Sequence, residues 1–268
     1  MKKEEPLSKL LRDKFVGPNL VYGAWTALLC GIVGLFALQG LYPSFIGPAS
    51  NVLPTVCVGI AVASSLCSIR RYGLSIRNNF QRTWVLFALG TCIWTCAELI
   101  WAVYYFALNV PVPYPSVADV FYMGGYVPML AGLLTYLQAF RKGMTRRRLV
   151  IATLVIVSAA LAVVSLVIPP EMAMSEPLLQ RFTDIGYPVL DLSLLSATVL
   201  SLAIFYGASL SRWLIAFAAA AIAYVVADEL FLYMVAAGTY YNGSVDDLLF
   251  LVGYLLFALA FYEHRRRF

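Results

Sequence analysis

Carboxylates are where this sequence could do chemistry. It holds 14 Asp and Glu residues. Ten of them (Glu98, Asp119, Glu171, Glu176, Asp184, Asp191, Asp228, Glu229, Asp246 and Asp247) fall within or beside long apolar segments. A seven-residue step recurs three times, joining Asp119 to Tyr126, Asp184 to Asp191 and Asp247 to Tyr254. Seven residues make two helical turns, so both members of each pair share one helix face. A carboxylate turned toward lipid costs roughly 3 kcal/mol or more, so these groups are expected to face a bundle interior or a wet cavity. Gathered carboxyl groups repel one another and must share protons or recruit a cation.

Two readings of this belt stay open. Protonated carboxyls could serve as interhelical glue, hydrogen-bonded to Tyr, Ser or backbone carbonyls. Alternatively, they line a pocket for a proton, a metal ion or a small organic cation. Trp94, Trp101, Tyr104, Tyr105, Tyr122 and Tyr233 stand at the same level and could add cation–π walls. The same rings are also expected as an interfacial belt. The candidate ligand-binding set is Glu98, Trp101, Asp119, Tyr126, Asp184, Asp191, Asp228, Glu229, Asp247 and Tyr254. Pro128 and Pro188 lie close to it, each freeing the carbonyl four residues earlier, at Gly124 and Asp184. They are candidate hinges, or plain packing features.

Other chemistries lack parts. His264 is the single histidine, which removes bis-His haem, His-rich zinc sites and Ser–His or Cys–His catalysis. Every lysine is terminal or juxtamembrane, so none can hold retinal at mid-membrane. No Walker loop or dinucleotide fingerprint is present. Paired aspartates could make an intramembrane hydrolase, but the Tyr-Asp and Gly-Asp dipeptides of that chemistry are missing. No enzyme activity and no cofactor are expected. All five cysteines fall inside apolar segments, which argues against a disulfide framework. Cys92 and Cys96 share a face at i, i+4 and could bind a soft metal, but core packing is the expectation.

The elements that must position these residues are membrane helices. Apolar residues make up 62% of the 268-residue chain and charged residues 12%, with a mean hydropathy of +0.82. A soluble domain carries about twice that charge fraction. Eight spans are expected, at 19–41, 51–69, 83–107, 116–140, 149–168, 182–210, 213–237 and 245–263. Each is near or above the ~20 residues needed to cross the hydrocarbon. Asn19, Asn51, Ser116 and Ser244 are the expected helix caps. Ala216, Ala218, Ala219, Ala220, Ala221 and Ala223 make the seventh span slim enough for close packing. No cleavable signal peptide is expected, because Glu4 and Glu5 interrupt the basic start and the first apolar run is too long.

Charge sets the expected orientation. Of the 19 Lys and Arg residues, only Arg181 falls in an odd-numbered connection. The others flank the termini and the even connections. The positive-inside rule then places both termini in the cytoplasm of a multi-pass plasma-membrane protein. The net charge of +5 reflects topology and contact with anionic lipid, not nucleic acid, since no basic stripe sits on a soluble element. Leu7, Leu10, Leu11 and Phe15 recur at helical spacing, as in an amphipathic segment over residues 1–18 lying on the inner leaflet. Glu98 lies fourteen residues beyond Trp84, about 21 Å along its helix, hence in the outer third.

An internal repeat is also visible. Residues 116–126 read SVADVFYMGGY and residues 244–254 read SVDDLLFLVGY, a constant offset of 128. Upstream, AELIW at Ala97 echoes ADELF at Ala227. The expected fold is therefore all-α integral membrane, an eight-helix bundle of two parallel four-helix repeats. These cover 19–140 and 149–263, joined by a basic loop at 141–148 and followed by a basic tail at 264–268. Repeats that enter from the same side are related by an axis along the membrane normal.

Residues 113–134, PYPSVADVFYMGGYVPMLAGLL, resemble a stretch in the membrane regions that precede GGDEF diguanylate cyclase or histidine-kinase domains in bacterial and archaeal signalling proteins. Pro115, Asp119, Tyr122, Gly125, Tyr126 and Pro128 carry the resemblance, and YPVLDLSLL from Tyr187 and SVDDLLFLVGYLL from Ser244 echo it. The resemblance implies an integral sensory module that signals through its last helix. No output domain follows before Phe268, so it also implies a separated input module or a cytoplasmic kinase or cyclase partner. A small carrier for a cation or protonated amine, alternating between two repeats, is the competing expectation. Nearly apolar inner halves (MLAGLLTYL, LVIATLVIV and LLFALAF) favour the sensor. Ligand identity and oligomeric state are not legible.

Overall fold

The computed structural model describes residues 18–140, 144–172, 177–205 and 211–267. The expected amphipathic segment over residues 1–18 lies almost wholly outside them. Among the described residues every regular element is helical, and eight helices are long and apolar enough to cross a membrane. They are α1 (Pro18–Ala37), α2 (Pro43–Tyr72), α3 (Asn79–Ala102), α4 (Val117–Phe140), α5 (Arg146–Met172), α6 (Leu178–Phe205), α7 (Ser211–Ala236) and α8 (Val245–Arg267). A 3₁₀ turn, Gln39–Leu41, links α1 to α2, and a π-helical stretch, Val103–Leu108, extends α3.

The largest departure from expectation is α2, which begins eight residues before position 51. Pro43 opens it, where a missing N–H is harmless, and Pro48 and Pro54 are carried inside. Asn51 is therefore no cap. It is buried in mid-helix, donating to Gly47 O at 2.8 Å and to Asn242 Oδ1 at 3.0 Å, which ties α2 to the α7–α8 loop. Asn19 likewise falls inside the first turn of α1, behind Pro18. Ser116 does cap α4, accepting from Ala118 N at 3.2 Å, while Asp119 Oδ2 reaches back to Ser116 N at 2.6 Å. The α8 start is similar, with Ser244 hydrogen-bonded to Asp246 and Asp247 Oδ2 accepting from Gly243 N at 2.6 Å. Asn78 caps α3, accepting from Phe80 N at 2.9 Å.

Six helices close a ring in the order α2, α3, α4, α6, α7 and α8, the last returning to α2. Outside it, α1 rests on α8 and α5 on α6. Their outer faces are apolar and bare, as at Leu20, Leu154 and Leu161, which suits helices solvated by lipid. Within the ring, Ala216, Ala220, Ala221 and Ala223 of α7 are buried, as close packing requires.

The interior divides into two zones. At one end, Trp84, Phe87, Tyr136, Trp213, Phe217, Phe257 and Phe261 are fully buried and pack edge to face, tilted or stacked. His264 is sealed among them, with its ring centroid 4.5 Å from that of Trp84 and its Nδ1 2.9 Å from Tyr72 Oη. Residues 264–267 thus continue α8 and carry a core side chain. Nearby, Glu263 takes Arg266 and Arg267 at 3.6 and 3.3 Å and a hydrogen bond from Tyr22 of α1. The opposite end is different in kind: it holds the carboxyl groups.

Candidate functional site: an acidic and aromatic cavity

The α3 inner face is set by Phe87, Thr91, Trp94 and Glu98, buried at helical spacing. That periodicity turns Cys92 and Cys96 outward. Both are exposed, which corrects the expectation that they pack in the core. All five cysteines are free thiols.

Between the ring helices lies a cavity of about 680 Å³, counting its open mouth. Its walls carry the carboxyl groups of Glu98, Asp119, Asp228 and Asp247. Aromatic rings complete them: Trp94, Trp101, Tyr122, Tyr126, Tyr187, Tyr224, Phe231, Tyr240 and Phe250. Ser50 and Pro54 of α2 line one side, where Pro54 frees the Ser50 carbonyl from helical bonding. Among the described residues, no lysine or arginine lines the cavity.

Each acid is held by a tyrosine. Tyr254 donates to Glu98 Oε1 at 2.6 Å, and Tyr187 donates to Asp119 Oδ1 at 2.8 Å. Tyr240 reaches Asp247 Oδ1 at 3.3 Å. The Tyr126 hydroxyl lies 2.5 Å from Asp191 Oδ1 and 3.0 Å from Asp228 Oδ2. Two of these contacts are crossed: Tyr126 of α4 meets Asp228 of α7, while Tyr254 of α8 meets Glu98 of α3. In the loops at this end, burial and then Asp184 push the Tyr114 hydroxyl above the usual phenol range, and burial and then Asp247 do the same to Tyr240.

Trp94 and Tyr224 stack at the centre, with centroids 5.2 Å apart and planes 13° apart. Two glycines make room for them. A methyl group at Gly125 would overlap the Trp94 indole, and one at Gly253 would sit 2.5 Å from the Tyr224 ring. The Trp94 indole is further fixed by donating to Tyr122 O at 2.9 Å. Phe231, meanwhile, touches Trp101, Tyr114 and Tyr240 edge to face.

Of the residues singled out from sequence, Glu98, Trp101, Asp119, Tyr126, Asp228 and Asp247 line the cavity. Tyr254 and Asp191 stand behind it as hydrogen-bond partners of Glu98 and Tyr126. Asp184 is not in the wall; it is buried and accepts from Tyr114 at 2.5 Å. Glu229 is half-buried one residue past Asp228 and also outside the wall. Pro128 and Pro188 are buried inside α4 and α6. Of the expected aromatic walls, Trp94, Trp101 and Tyr122 are present, but Tyr104 and Tyr105 are not among the lining residues and Tyr233 is 71% exposed.

Sequence reasoning missed Tyr187, Tyr224, Phe231, Tyr240, Phe250, Ser50 and Pro54. Tyr224 and Phe231 had a signal, since each sits 130 positions after an aromatic of α3, Trp94 and Trp101. Asp246, next to Asp247, is buried against Ser244 and does not line the cavity. Among the described residues no three His, Cys, Asp or Glu side chains converge as a metal site. No family model, curated protein or solved structure matches this chain.

Proposed function

We propose that the protein is a membrane-embedded sensor whose cavity takes a small organic cation and whose last helix passes occupancy to a cytoplasmic kinase or cyclase partner. The carrying observation is the cavity wall itself: four carboxyl groups and nine aromatic rings, with no lysine or arginine among the described residues. Negative charge and ring faces attract the same ligand class, a cation with a partly apolar surface. The tyrosine bonds leave room for the glue reading, but glue alone needs no open cavity.

The relay reading is supported by α8. Its Tyr254 holds Glu98 beside the cavity, and ten residues on, about 15 Å along the axis, His264 is packed among Tyr72, Trp84, Tyr136 and Trp213. A shift of α8 at one end therefore repacks four helices at the other. Pro128 and Pro188 are the hinges in this proposal. The basic end carries Arg70, Arg71 and Arg265 to Arg267, so the positive-inside rule turns the cavity outward in the plasma membrane, with both termini inside.

Two parallel four-helix repeats are supported by the crossed tyrosine–acid pairs and by the matching neighbours of α2, α3, α4 and of α6, α7, α8. The outer helices depart from the pattern, with α1 on α8 but α5 on α6. A carrier is the second reading. Beyond the cavity the fully buried rings of Trp84, Phe87, Tyr136, Trp213, Phe217, Phe257 and Phe261 pack against one another, a seal that favours the sensor.

The test is thermal unfolding of the purified protein in lipid nanodiscs with tetramethylammonium, tert-butanol or acetate. Stabilisation by the cation alone, lost in Glu98→Gln, supports the proposal. Equal responses to all three compounds would refute it. Uptake of the labelled cation into proteoliposomes, abolished by Glu98→Gln, would replace the sensor with the carrier.

A further inference from the structure

We infer that the cavity is a proton–cation exchange site, in which Asp228 carries a proton when the site is empty and an incoming monovalent ammonium displaces it. The exchange rests on the cation reading above, whereas the resident proton follows from oxygen geometry alone.

A phenol has one proton, and Tyr126 has two acid neighbours. Its hydroxyl is 2.5 Å from Asp191 Oδ1 and 3.0 Å from Asp228 Oδ2. If both aspartates were ionised, one of these contacts would set lone pair against lone pair with no proton between. Giving the phenolic proton to the shorter contact leaves Asp228 to donate back to Tyr126 Oη, which requires its acid form.

Crowding points the same way. Asp191 and Asp228 meet at one phenolic oxygen, and two carboxyl groups gathered at a single hydroxyl resist holding two negative charges. Glu98 differs, because Tyr254 supplies one proton to one carboxylate oxygen and no more is required.

Among the described residues, acids and phenols are the groups that act on Asp228. From α6, Asp191 and Tyr187 face Asp228; α4 contributes Tyr126. Its own helix adds Glu229 and Tyr224, and the loop before α4 adds Tyr114. On α8, Tyr254 is committed to Glu98 of α3. All of these are acids or phenols.

The exchange balances simply. Carboxylic acid plus tetraalkylammonium gives a carboxylate–ammonium pair, and one proton leaves through the cavity mouth. Asp228 is positioned for it, being both in the wall and bonded to the buried Asp191–Tyr126 pair.

Infrared spectroscopy of the unliganded protein in nanodiscs at neutral pH reads the proton directly. The carboxylic-acid C=O band of a buried group is expected in the wild type and in Glu98→Gln. It should weaken by one carboxyl group in Asp228→Asn, whose amide can still donate to Tyr126 and keep the fold. A folded Asp228→Asn protein with an unchanged acid band overturns the assignment. Next, tetramethylammonium is added in weakly buffered solution and the pH followed. About one proton released per bound cation is expected in the wild type and none in Asp228→Asn; binding without release overturns the exchange. If tetramethylammonium does not bind at all, the cation reading fails and the exchange falls with it, while the infrared result still decides the proton.

Discussion

Replacing Gly125 with alanine tests how tightly the cavity floor is built. A methyl group there overlaps Cδ1 and Nε1 of Trp94 and lies 3.0 Å from Cγ, so something must move. Trp94 has nowhere to go: it is fully buried, stacked on Tyr224 and hydrogen-bonded to Tyr122 O. If the backbone yields instead, overpacking costs about 1–3 kcal/mol. If the indole yields, it forfeits a hydrogen bond worth about 1 kcal/mol and a ring stack worth about 0.5–1.5 kcal/mol. Either route puts the loss at roughly 1–3 kcal/mol, a roughly five- to hundred-and-forty-fold drop in the folded-to-unfolded ratio. Gly59→Ala is the control, because nothing lies within 4 Å of a methyl there. The assay is reversible unfolding in mixed micelles followed by tryptophan fluorescence. Gly253→Ala, which drives into Tyr224, should behave like Gly125→Ala. Because the two rings lean on each other, the double variant should lose less than the sum of the single losses. A Gly125→Ala protein as stable as Gly59→Ala would refute the packing argument.

Tyr254→Phe leaves the buried Glu98 without its donor and should lose about 1–3 kcal/mol in the same unfolding assay. Adding Glu98→Leu should recover most of that loss, as removing both partners of a buried pair does. His264→Lys puts a flexible charge into the aromatic zone beneath Trp84 and should be destabilised by several kcal/mol, with His264→Phe far milder. For orientation, single cysteines at Arg147 and Thr239 in a cysteine-free background should label from opposite faces of the membrane with an impermeant maleimide. Labelling from the same face would contradict the orientation.

Helix number, and the gathering of the carboxylates, were legible because they follow from short-range rules. Twenty apolar residues in a row must be a span, and a seven-residue step must share a face, so Asp119 and Tyr126 meet the same cavity. What pairs with what was not legible. Tyr126 and Asp228 are 102 positions apart, and Tyr254 and Glu98 are 156 apart; only the ring order of the helices brings them together. The start of α2 was hidden by Pro43, Pro48 and Pro54, which signal a break in water but are tolerated in a helix whose neighbours satisfy the freed carbonyls. His264 sits among arginines in the sequence, and only the helical continuation of α8 turns it inward. Asp184 stands outside the cavity wall, where Tyr114, from a loop with no periodicity to read, donates to it. Cys92 and Cys96 show the limit of composition alone: apolar side chains in a lipid-solvated bundle face outward as readily as inward.

The most direct measurement is the anomalous diffraction of crystals soaked in tetramethylarsonium, an arsenic-bearing isostere of tetramethylammonium. Occupation of the acidic chamber predicts a single strong arsenic peak between the Trp94–Tyr224 stack and the carboxyl groups of Glu98 and Asp228. A soaked, saturated crystal with no peak there, or with peaks only on outer surfaces, would contradict it.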